Sequence, residues 1–197
     1  MTVEESIMRE LGSEAPPFEL PDPRNSRIVR LDQAWGVAGL LIMFICNHCP
    51  YVHHVREELV DIGRQYGGQD LGIIAINSND IQRYPEDDPK EMAANAQWYG
   101  YPFPYLWDET QEVAKAFGAA CTPDFFLFDA TRRLVYRGQL DDSRPGNGIP
   151  VTGRDLRAAL DAVLADQPVP TRQLPSAGCN IKWKPGNEPD DVARDGS

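Results

Sequence analysis

An unbroken apolar run from Gly39 to Ile45 predicts a β-strand that is buried on both faces. A strand without polar alternation is typical of a parallel or mixed sheet that helices cover on both sides. Directly downstream, apolar residues recur at steps of three and four and predict an amphipathic helix: Val52, Val55, Leu59, Ile62 and Tyr66. Gly67 and Gly68 end this helix, and Leu71 to Ile76 predicts a second buried strand. Strand, helix and strand of these lengths form a βαβ unit, whose two strands run parallel.

The remaining patterns predict a hairpin and further helices around this unit. Phe125 to Asp129 and Leu134 to Gly138 are apolar runs joined by residues 130–133, which is a hairpin signal. Apolar stripes bounded by Asp, Pro or Gly predict helices at residues 88–100, 108–118 and 153–166. Alternation from Arg27 to Leu31 predicts a short N-terminal hairpin. We therefore predict an α/β fold with a central mixed sheet flanked by helices, as one domain over residues 1–166 (core 11–166) and a polar, surface-exposed C-terminal tail over 167–197.

Charge and composition exclude several classes of partner. The chain of 197 residues carries a formal net charge of −11, which argues against nucleic acid and against anionic membrane surfaces. No basic and apolar leader follows Met1, and no apolar run is long enough to span a membrane. Four cysteines are too few for a disulfide scaffold, and dithiols in reducing compartments are more often catalytic than structural. We therefore expect a cytoplasmic protein that binds neither nucleic acid nor membrane.

Two of the cysteines lie at the predicted junction between the buried strand and the helix. Cys46 and Cys49 enclose Asn47 and His48, and Pro50 follows in the first helical turn, where its missing N–H costs little. Free backbone N–H groups and the positive end of the helix dipole favour a thiolate at Cys46. Two cysteines at this spacing can close a disulfide within one turn, so the motif and its context predict a redox-active dithiol.

A metal site is the main alternative for this motif. A closed zinc site needs four ligands, and the two other cysteines of the chain stand alone. His48, His53 and His54 could complete a site only by folding back on the same helical turn. His53 and His54 are adjacent and point in different directions, so we place them on the helix surface. We expect no metal and no other cofactor, although a module that binds Cu(I) or zinc through the two cysteines and a histidine stays open.

Four short motifs carry a family resemblance: Ala15 to Leu20, Cys46 to Pro50, Phe103 to Asp108, and Thr122-Pro123. With these motifs, residues 11–166 resemble thioredoxin-like redoxins related to the peroxiredoxin-type alkyl hydroperoxide reductases. The resemblance implies a thioredoxin fold. It also implies a cis peptide bond between Thr122 and Pro123, in a loop that lies against the redox cysteines and binds extended substrate backbone. We expect substrate contacts at Thr122, Pro123, Asn47 and Pro50.

The chain departs from the family pattern in three ways. Many thioredoxins carry a buried carboxylate in the strand before the motif, but Gly39 to Ile45 offers none to deprotonate Cys49. His48 directly precedes the second cysteine, as in disulfide-forming relatives, where a donor near the first thiolate makes the disulfide more oxidising. Peroxiredoxins place a Pro seven residues and a Thr or Ser three residues before their peroxide-reducing cysteine. Neither Cys46 nor Cys49 is preceded in this way, which weakens the peroxidase interpretation.

The sequence thus predicts a thiol–disulfide oxidoreductase. Cys46 attacks a substrate disulfide and Cys49 displaces the reduced product, with His48 as a donor near the first thiolate. The expected partners are a protein or small-molecule disulfide and a reductant thiol. The alternative is a thioredoxin-dependent thiol peroxidase, in which Cys46 passes through a sulfenic acid. Cys121 is expected to be a small buried hydrophobic residue. Cys179 lies in a stretch of the tail, residues 176–184, that docking of Ile181 and Trp183 onto the domain explains. A role for Cys179 as a resolving thiol stays open.

Overall fold

A computed structural model of the protein describes residues 2–189. Within this range the chain forms ten strands: β1 (Val3–Glu5), β2 (Glu19–Asp22), β3 (Arg27–Arg30), β4 (Gly39–Phe44), β5 (Leu71–Asn77), β6 (Tyr105–Trp107), β7 (Cys121–Thr122), β8 (Asp124–Asp129), β9 (Leu134–Gly138) and β10 (Ala177–Asn180). Five α-helices accompany these strands in the same range: α1 (Leu31–Ala34), α2 (Pro50–Tyr66), α3 (Pro89–Tyr99), α4 (Glu112–Phe117) and α5 (Arg154–Leu164).

The central sheet has the strand order β6-β5-β4-β8-β9. β4 and β5 run parallel, as do β5 and β6, whereas β4 and β8, and β8 and β9, are antiparallel. α2 is the crossover between β4 and β5, which confirms the predicted βαβ unit. β8 and β9 are the predicted hairpin. A βαβ half joined to a hairpin half in one mixed sheet is the thioredoxin-like arrangement, so the predicted fold class is confirmed.

β4 is buried on both faces because two separate apolar clusters cover the central sheet. All of its residues are buried, and successive side chains point to opposite faces. Leu41 and Met43 belong to the cluster that includes α2, α3 and α5. Leu40, Ile42 and Phe44 belong to the cluster that includes α4 and β2. A run that is uniformly apolar in the sequence therefore contributes alternate residues to two cores.

The other predicted elements are present with adjusted bounds. The N-terminal hairpin is formed by β2 and β3, which pair antiparallel. The three helices predicted downstream correspond to α3, α4 and α5. α4 begins later than expected because Gln111 has φ 65°, a left-handed conformation through which a right-handed helix does not continue. Among the residues that the structure describes, no helix is both long enough and apolar enough to cross a membrane.

Residues 176–183 are mostly buried in the fold, which differs from the surface tail that the composition predicts. β10 pairs antiparallel with β1 on one side and with β7 on the other. Beyond β10, Ile181 and Trp183 are 1% and 8% exposed and belong to the cluster around α4. The expected docking of these two residues is confirmed. Strand pairing on both edges of β10 and these two apolar side chains accompany this burial in a stretch whose flanking sequence is polar.

We expect Phe117→Ala to lower the free energy of unfolding by about 3–5 kcal/mol, the usual cost of truncating a large aromatic side chain in a packed core. Phe117 on α4 is fully buried, and its ring centroid lies 5.7, 5.8 and 6.1 Å from those of Phe44, Phe126 and Phe128. Chemical denaturation measures the change. Trp98→Ala, which removes an exposed ring of α3, is the control and should alter stability by no more than about 0.5 kcal/mol. Equal effects of the two substitutions would contradict this packing.

Candidate active site

The dithiol motif lies where β4 ends and α2 begins. Cys49 is the N-cap residue of α2 and Pro50 is the first residue of the helix. Cys46 and Cys49 are 1% and 0% exposed. The apolar strand and the apolar face of the helix both belong to the core, so packing rather than loop conformation sets the position of the two sulfurs.

Thr122 brings the second half of the site to both of these sulfurs. It ends β7, and the peptide bond between Thr122 and Pro123 is cis. The Thr122 hydroxyl oxygen lies 3.3 Å from Cys46 Sγ, and the Thr122 carbonyl oxygen lies 3.3 Å from Cys49 Sγ. β8 follows directly after Pro123 and pairs with β4 along its whole length, which carries Thr122 to the motif. Of the four expected substrate contacts, Thr122 thus lies beside both cysteines, and Pro123 directly follows it across the cis bond.

The two other expected substrate contacts differ in their exposure. Pro50 is exposed at the first turn of α2. Asn47 is buried and makes internal hydrogen bonds. Its backbone N–H donates to Asp87 over 2.6 Å, its side chain donates to the Glu86 carbonyl over 2.8 Å, and the Tyr105 hydroxyl donates to its side-chain oxygen over 3.1 Å. Pro50 is therefore accessible to a substrate, whereas Asn47 holds an acidic turn against the motif.

The acidic turn, Pro85–Asp87, places the buried carboxylate of Asp87 beside the motif. One of its oxygens lies 2.5 Å from His48 Nδ1. Asp87 is fully buried and also accepts a hydrogen bond of 2.9 Å from the Asn79 side chain. Burial favours the neutral acid, but the interactions with His48, Asn79 and the Asn47 N–H outweigh it and hold the pKa of Asp87 below its ordinary value. Asp87 is therefore an anion that anchors one edge of the His48 ring.

His48 is the cation of this pair and faces Cys46. Burial lowers the pKa of an imidazole, but the interactions with Asp87 and Cys46 outweigh it and raise the pKa of His48 to about 10. The other ring nitrogen, Nε2, is buried and has no hydrogen-bond partner of normal length within residues 2–189. Cys46 Sγ, a ring nitrogen of His48 and an oxygen of Asp87 all lie within 4.8 Å of one another. The charged ring of His48 therefore lies close to the Cys46 sulfur.

Cys49 is disulfide-bonded to Cys179, so the disulfide in this structure is not the expected one between Cys46 and Cys49. The two bonded residues are separated by 130 positions, yet their Cα atoms lie 6.2 Å apart. The reason is the register of β10, which places Cys179 opposite Thr122, whose carbonyl oxygen lies against Cys49. Cys46 and Cys121 are buried and remain outside the disulfide.

The remaining cysteine and histidines lie apart from this chemistry. Cys121 is buried, as expected, and its Sγ lies 3.6 Å from the Pro123 carbonyl oxygen. Burial raises the pKa of the Cys121 thiol well above its ordinary value. His53 Nε2 contacts the Asn47 carbonyl oxygen, whereas His54 Nε2 lies 2.7 Å from a side-chain hydroxyl in the 141–150 loop. The two adjacent histidines point in different directions, as predicted.

A second buried carboxylate, Asp124, is the first residue of β8 and directly follows Pro123. The buried carboxylate that many thioredoxins carry would instead lie on β4, before the motif. Asp124 is fully buried and accepts hydrogen bonds from the Ser6 hydroxyl (2.6 Å) and from the N–H groups of Phe125 (3.1 Å) and Ala120 (3.3 Å). Burial outweighs these bonds and raises the pKa of Asp124 to about 7. The sequence signal was an acidic residue between Thr122-Pro123 and an apolar run. No comparable spacing links Asp87 to His48.

In the part of the chain that the structure describes, one group of side chains is close enough to hold a metal ion: Cys46, His48 and Asp87. An imidazole must lose its proton before it binds a metal, and the interactions with Asp87 and Cys46 raise the pKa of His48 to about 10. Cys49, which the metal-binding alternative also requires, is bonded to Cys179. These side chains therefore favour redox chemistry over metal binding.

Comparisons with known proteins give one family and several solved structures. The AhpC/TSA family matches residues 11–137. An uncharacterized conserved protein from Geobacillus kaustophilus is 57% identical, with 94% of this chain and 98% of that one covered and a TM-score of 0.93. A hypothetical protein from Sinorhizobium meliloti 1021 is 53% identical, with 92% and 99% covered and a TM-score of 0.90. A putative thiol:disulfide interchange protein DsbE from Chlorobium tepidum, 17% identical, shares the fold over 79% of this chain and 98% of that one, with a TM-score of 0.63. No match is found among curated proteins.

We expect Asp87→Asn to lower the pKa of His48 from about 10 towards its ordinary value, because the substitution removes the anion beside Nδ1. An NMR titration of the His48 ring, assigned with a His48→Gln variant, measures this pKa. Glu86→Gln removes the neighbouring carboxylate of the same turn and is the matched control, which should leave the titration of His48 unchanged. An unaltered His48 titration in Asp87→Asn would show that the ion pair does not set the charge of the ring.

We expect Asp124→Asn to flatten the pH dependence of stability between about pH 4 and pH 7. The folded protein keeps a proton on Asp124 up to about pH 7, whereas the unfolded chain releases it near ~3.9. The folded state therefore binds more protons in this window, so the wild-type free energy of unfolding falls as the pH rises through it. Urea denaturation across the window measures this slope. Asp61→Asn, at an exposed position of α2, should keep the wild-type slope, and the same slope in Asp124→Asn would refute the assignment.

Proposed function

Because this chain belongs to the AhpC/TSA family and has a thioredoxin-like fold, we propose that it is a thiol–disulfide oxidoreductase with Cys46 as its nucleophile. The observation that supports this proposal most strongly is that Cys46 is a thiol with a hydroxyl group and a charged imidazole ring close to its sulfur. Its thiol is outside the disulfide, lies 3.3 Å from the Thr122 hydroxyl and faces the protonated ring of His48. The thiolate is the attacking species in disulfide exchange, and a cationic donor beside it favours that form.

In the proposed reaction, the Cys46 thiolate attacks one sulfur of a substrate disulfide. The substrate S–S bond breaks, a mixed disulfide forms, and the leaving thiolate takes up a proton. The next step requires Cys49 as a thiol, so a reductant thiol must first reduce the Cys49–Cys179 disulfide and be oxidised to a disulfide itself. Cys49 then attacks Cys46 Sγ, forms the Cys46–Cys49 disulfide and releases the second substrate thiol. A reductant thiol then returns the motif to its dithiol form, and a cytoplasmic location would supply such thiols.

The residues around the sulfurs take supporting roles in this proposal. His48 stabilises negative charge on Cys46, and Asp87 keeps the His48 ring charged and oriented. Thr122 borders both sulfurs. Thr122, Pro123 and the exposed Pro50 are proposed to contact the substrate backbone. The substrate is proposed to be a protein or small-molecule disulfide.

A thiol peroxidase is the second candidate, and one contact favours it. The Thr122 hydroxyl lies 3.3 Å from Cys46 Sγ, so a hydroxyl that the sequence lacks before Cys46 is supplied by another strand. In this reaction Cys46 attacks the peroxide O–O bond and becomes a sulfenic acid, while water or an alcohol leaves. A second thiol then condenses with the sulfenic acid and releases water.

Kinetics of the reduced protein with a protein disulfide and with hydrogen peroxide, measured side by side, test the two candidates. We expect disulfide exchange to be the faster reaction and Cys46→Ser to reduce it to the uncatalysed rate. Cys49→Ser should accumulate a mixed disulfide with the substrate, because attack proceeds and resolution does not. Cys121→Ala removes the thiol outside the site and should keep wild-type rates.

Two results would change this conclusion. A faster reaction with peroxide that leaves a sulfenic acid on Cys46 would establish the peroxidase instead. Full exchange activity in Cys46→Ser would exclude Cys46 as the nucleophile.

A further inference from the structure

Three of the four cysteines converge on Thr122. Cys46 Sγ lies 3.3 Å from the Thr122 hydroxyl oxygen, and Cys49 Sγ lies 3.3 Å from the Thr122 carbonyl oxygen. Cys179 is the residue paired with Thr122 between β10 and β7, and its sulfur is bonded to Cys49. Side chains alternate along β7, so Cys121 points away from this group. The site therefore holds one disulfide together with one free thiol on the same side of β7.

The sulfurs in this group are closed to external reactants. Cys46, Cys49 and Cys179 are 1%, 0% and 1% exposed. An external thiol or disulfide must wait for part of the structure to move, whereas Cys46 and Cys49 lie within one turn of the chain. A reactant held in place reacts as if it were present at a very high concentration. The thiol best placed to attack the disulfide is therefore Cys46.

We propose that Cys179 is a third redox-active cysteine, which exchanges its disulfide partner with Cys46. The proposal relies on the proposed function for the role of Cys46 as nucleophile. The Cys46 thiolate attacks Cys49 Sγ, the Cys49–Cys179 bond breaks and the Cys46–Cys49 bond forms. Cys179 leaves as a thiolate and takes up the proton that Cys46 had lost. One disulfide is present before and after the step, so no oxidant or reductant is consumed.

The exchange decides whether β10 is covalently fixed over the motif. In the Cys49–Cys179 form, β10 pairs with Thr122, where the proposed function places the substrate backbone. In the Cys46–Cys49 form, only non-covalent contacts hold it there, including the Ile181 N–H to Ala120 carbonyl bond of 3.0 Å and the Ser176 hydroxyl to Pro123 carbonyl bond of 2.7 Å. The apolar residues beyond β10 keep the segment docked on the domain. β10 can then open locally, expose the motif to an external thiol or disulfide, and return.

Gly178 shows how closely β10 approaches β7, and it offers a way to weaken that approach without altering a sulfur. A Cβ at Gly178 would overlap the Thr122 carbonyl oxygen and lie 3.2 Å from the Pro123 nitrogen. Glycine is the residue that permits such close backbone contact. Gly178→Ala should therefore push Cys179 away from Cys49. Gly68→Ala is the matched control, since nothing lies within 4 Å of a Cβ at that position.

Disulfide mapping of the full-length oxidised protein, by alkylation, digestion and mass spectrometry, tests the exchange without any substrate. We expect Cys46→Ser to contain Cys49–Cys179 alone and Cys179→Ser to contain Cys46–Cys49 alone. The wild type should be a mixture of molecules with the Cys49–Cys179 disulfide and molecules with the Cys46–Cys49 disulfide. The ratio of the two forms should be the same after oxidation of the reduced protein and after prolonged incubation of the oxidised protein. Gly178→Ala should raise the proportion of Cys46–Cys49 over Cys49–Cys179 by about tenfold, which corresponds to ~1.4 kcal/mol of strain on the paired strand. Gly68→Ala should keep the wild-type ratio.

Two results would overturn the proposal. One is a wild type and a Gly178→Ala variant that contain Cys49–Cys179 alone while Cys46 stays a thiol, since the bond is then a cross-link and nothing more. The other is a Cys179→Ser variant that folds, as judged by circular dichroism, and forms no Cys46–Cys49 disulfide. If that variant does not fold, the wild-type mapping decides. Because the mapping involves no substrate, its failure is distinct from a loss of activity towards external disulfides.

Discussion

The burial of β4 on both faces is the constraint on which the whole site depends. β5 is hydrogen-bonded along one edge of β4 and β8 along the other. The six residue pairs that β4 makes along each of these edges define its register. This register sets where β4 ends, and hence where Cys46 lies. It also pairs Asp124 with Phe44, which brings the adjoining Thr122 to the same point.

Two buried carboxylates, one beside His48 and one on β8, have opposite pKa shifts. Asp87 has a cationic partner in His48, and the pKa of its carboxyl is lowered despite burial. The groups that lower the pKa of Asp124 are hydrogen-bond donors, and none of them is a cation. Burial outweighs them and raises the pKa of Asp124 to about 7. The presence or absence of a cation therefore decides the outcome for groups of the same type. A chain with a net charge of −11 thus places a local positive charge beside Cys46.

β10 links parts of the molecule that are distant in the sequence. It joins β1, near the N-terminus, to β7, next to the cis peptide bond, and it carries the cysteine bonded to Cys49. β10 therefore lies at the site, against β7 and bonded to Cys49. A thioredoxin-like centre built in this way contains three cysteines, and its chemistry cannot be described by the Cys46–Cys49 pair alone.

The sequence by itself determined the features that depend on periodicity and on near neighbours: β4, α2, the βαβ unit, and the position of the dithiol at the junction of strand and helix. Thr122 and Pro123 were found through a family resemblance, because no local pattern connects them to Cys46. The tertiary structure alone decided the Cys49–Cys179 bond, across 130 positions, and the His48–Asp87 pair, across 39. Such contacts depend on how separate strands and turns pack against one another, and residue spacing along a chain does not encode which of many possible packings brings two side chains together.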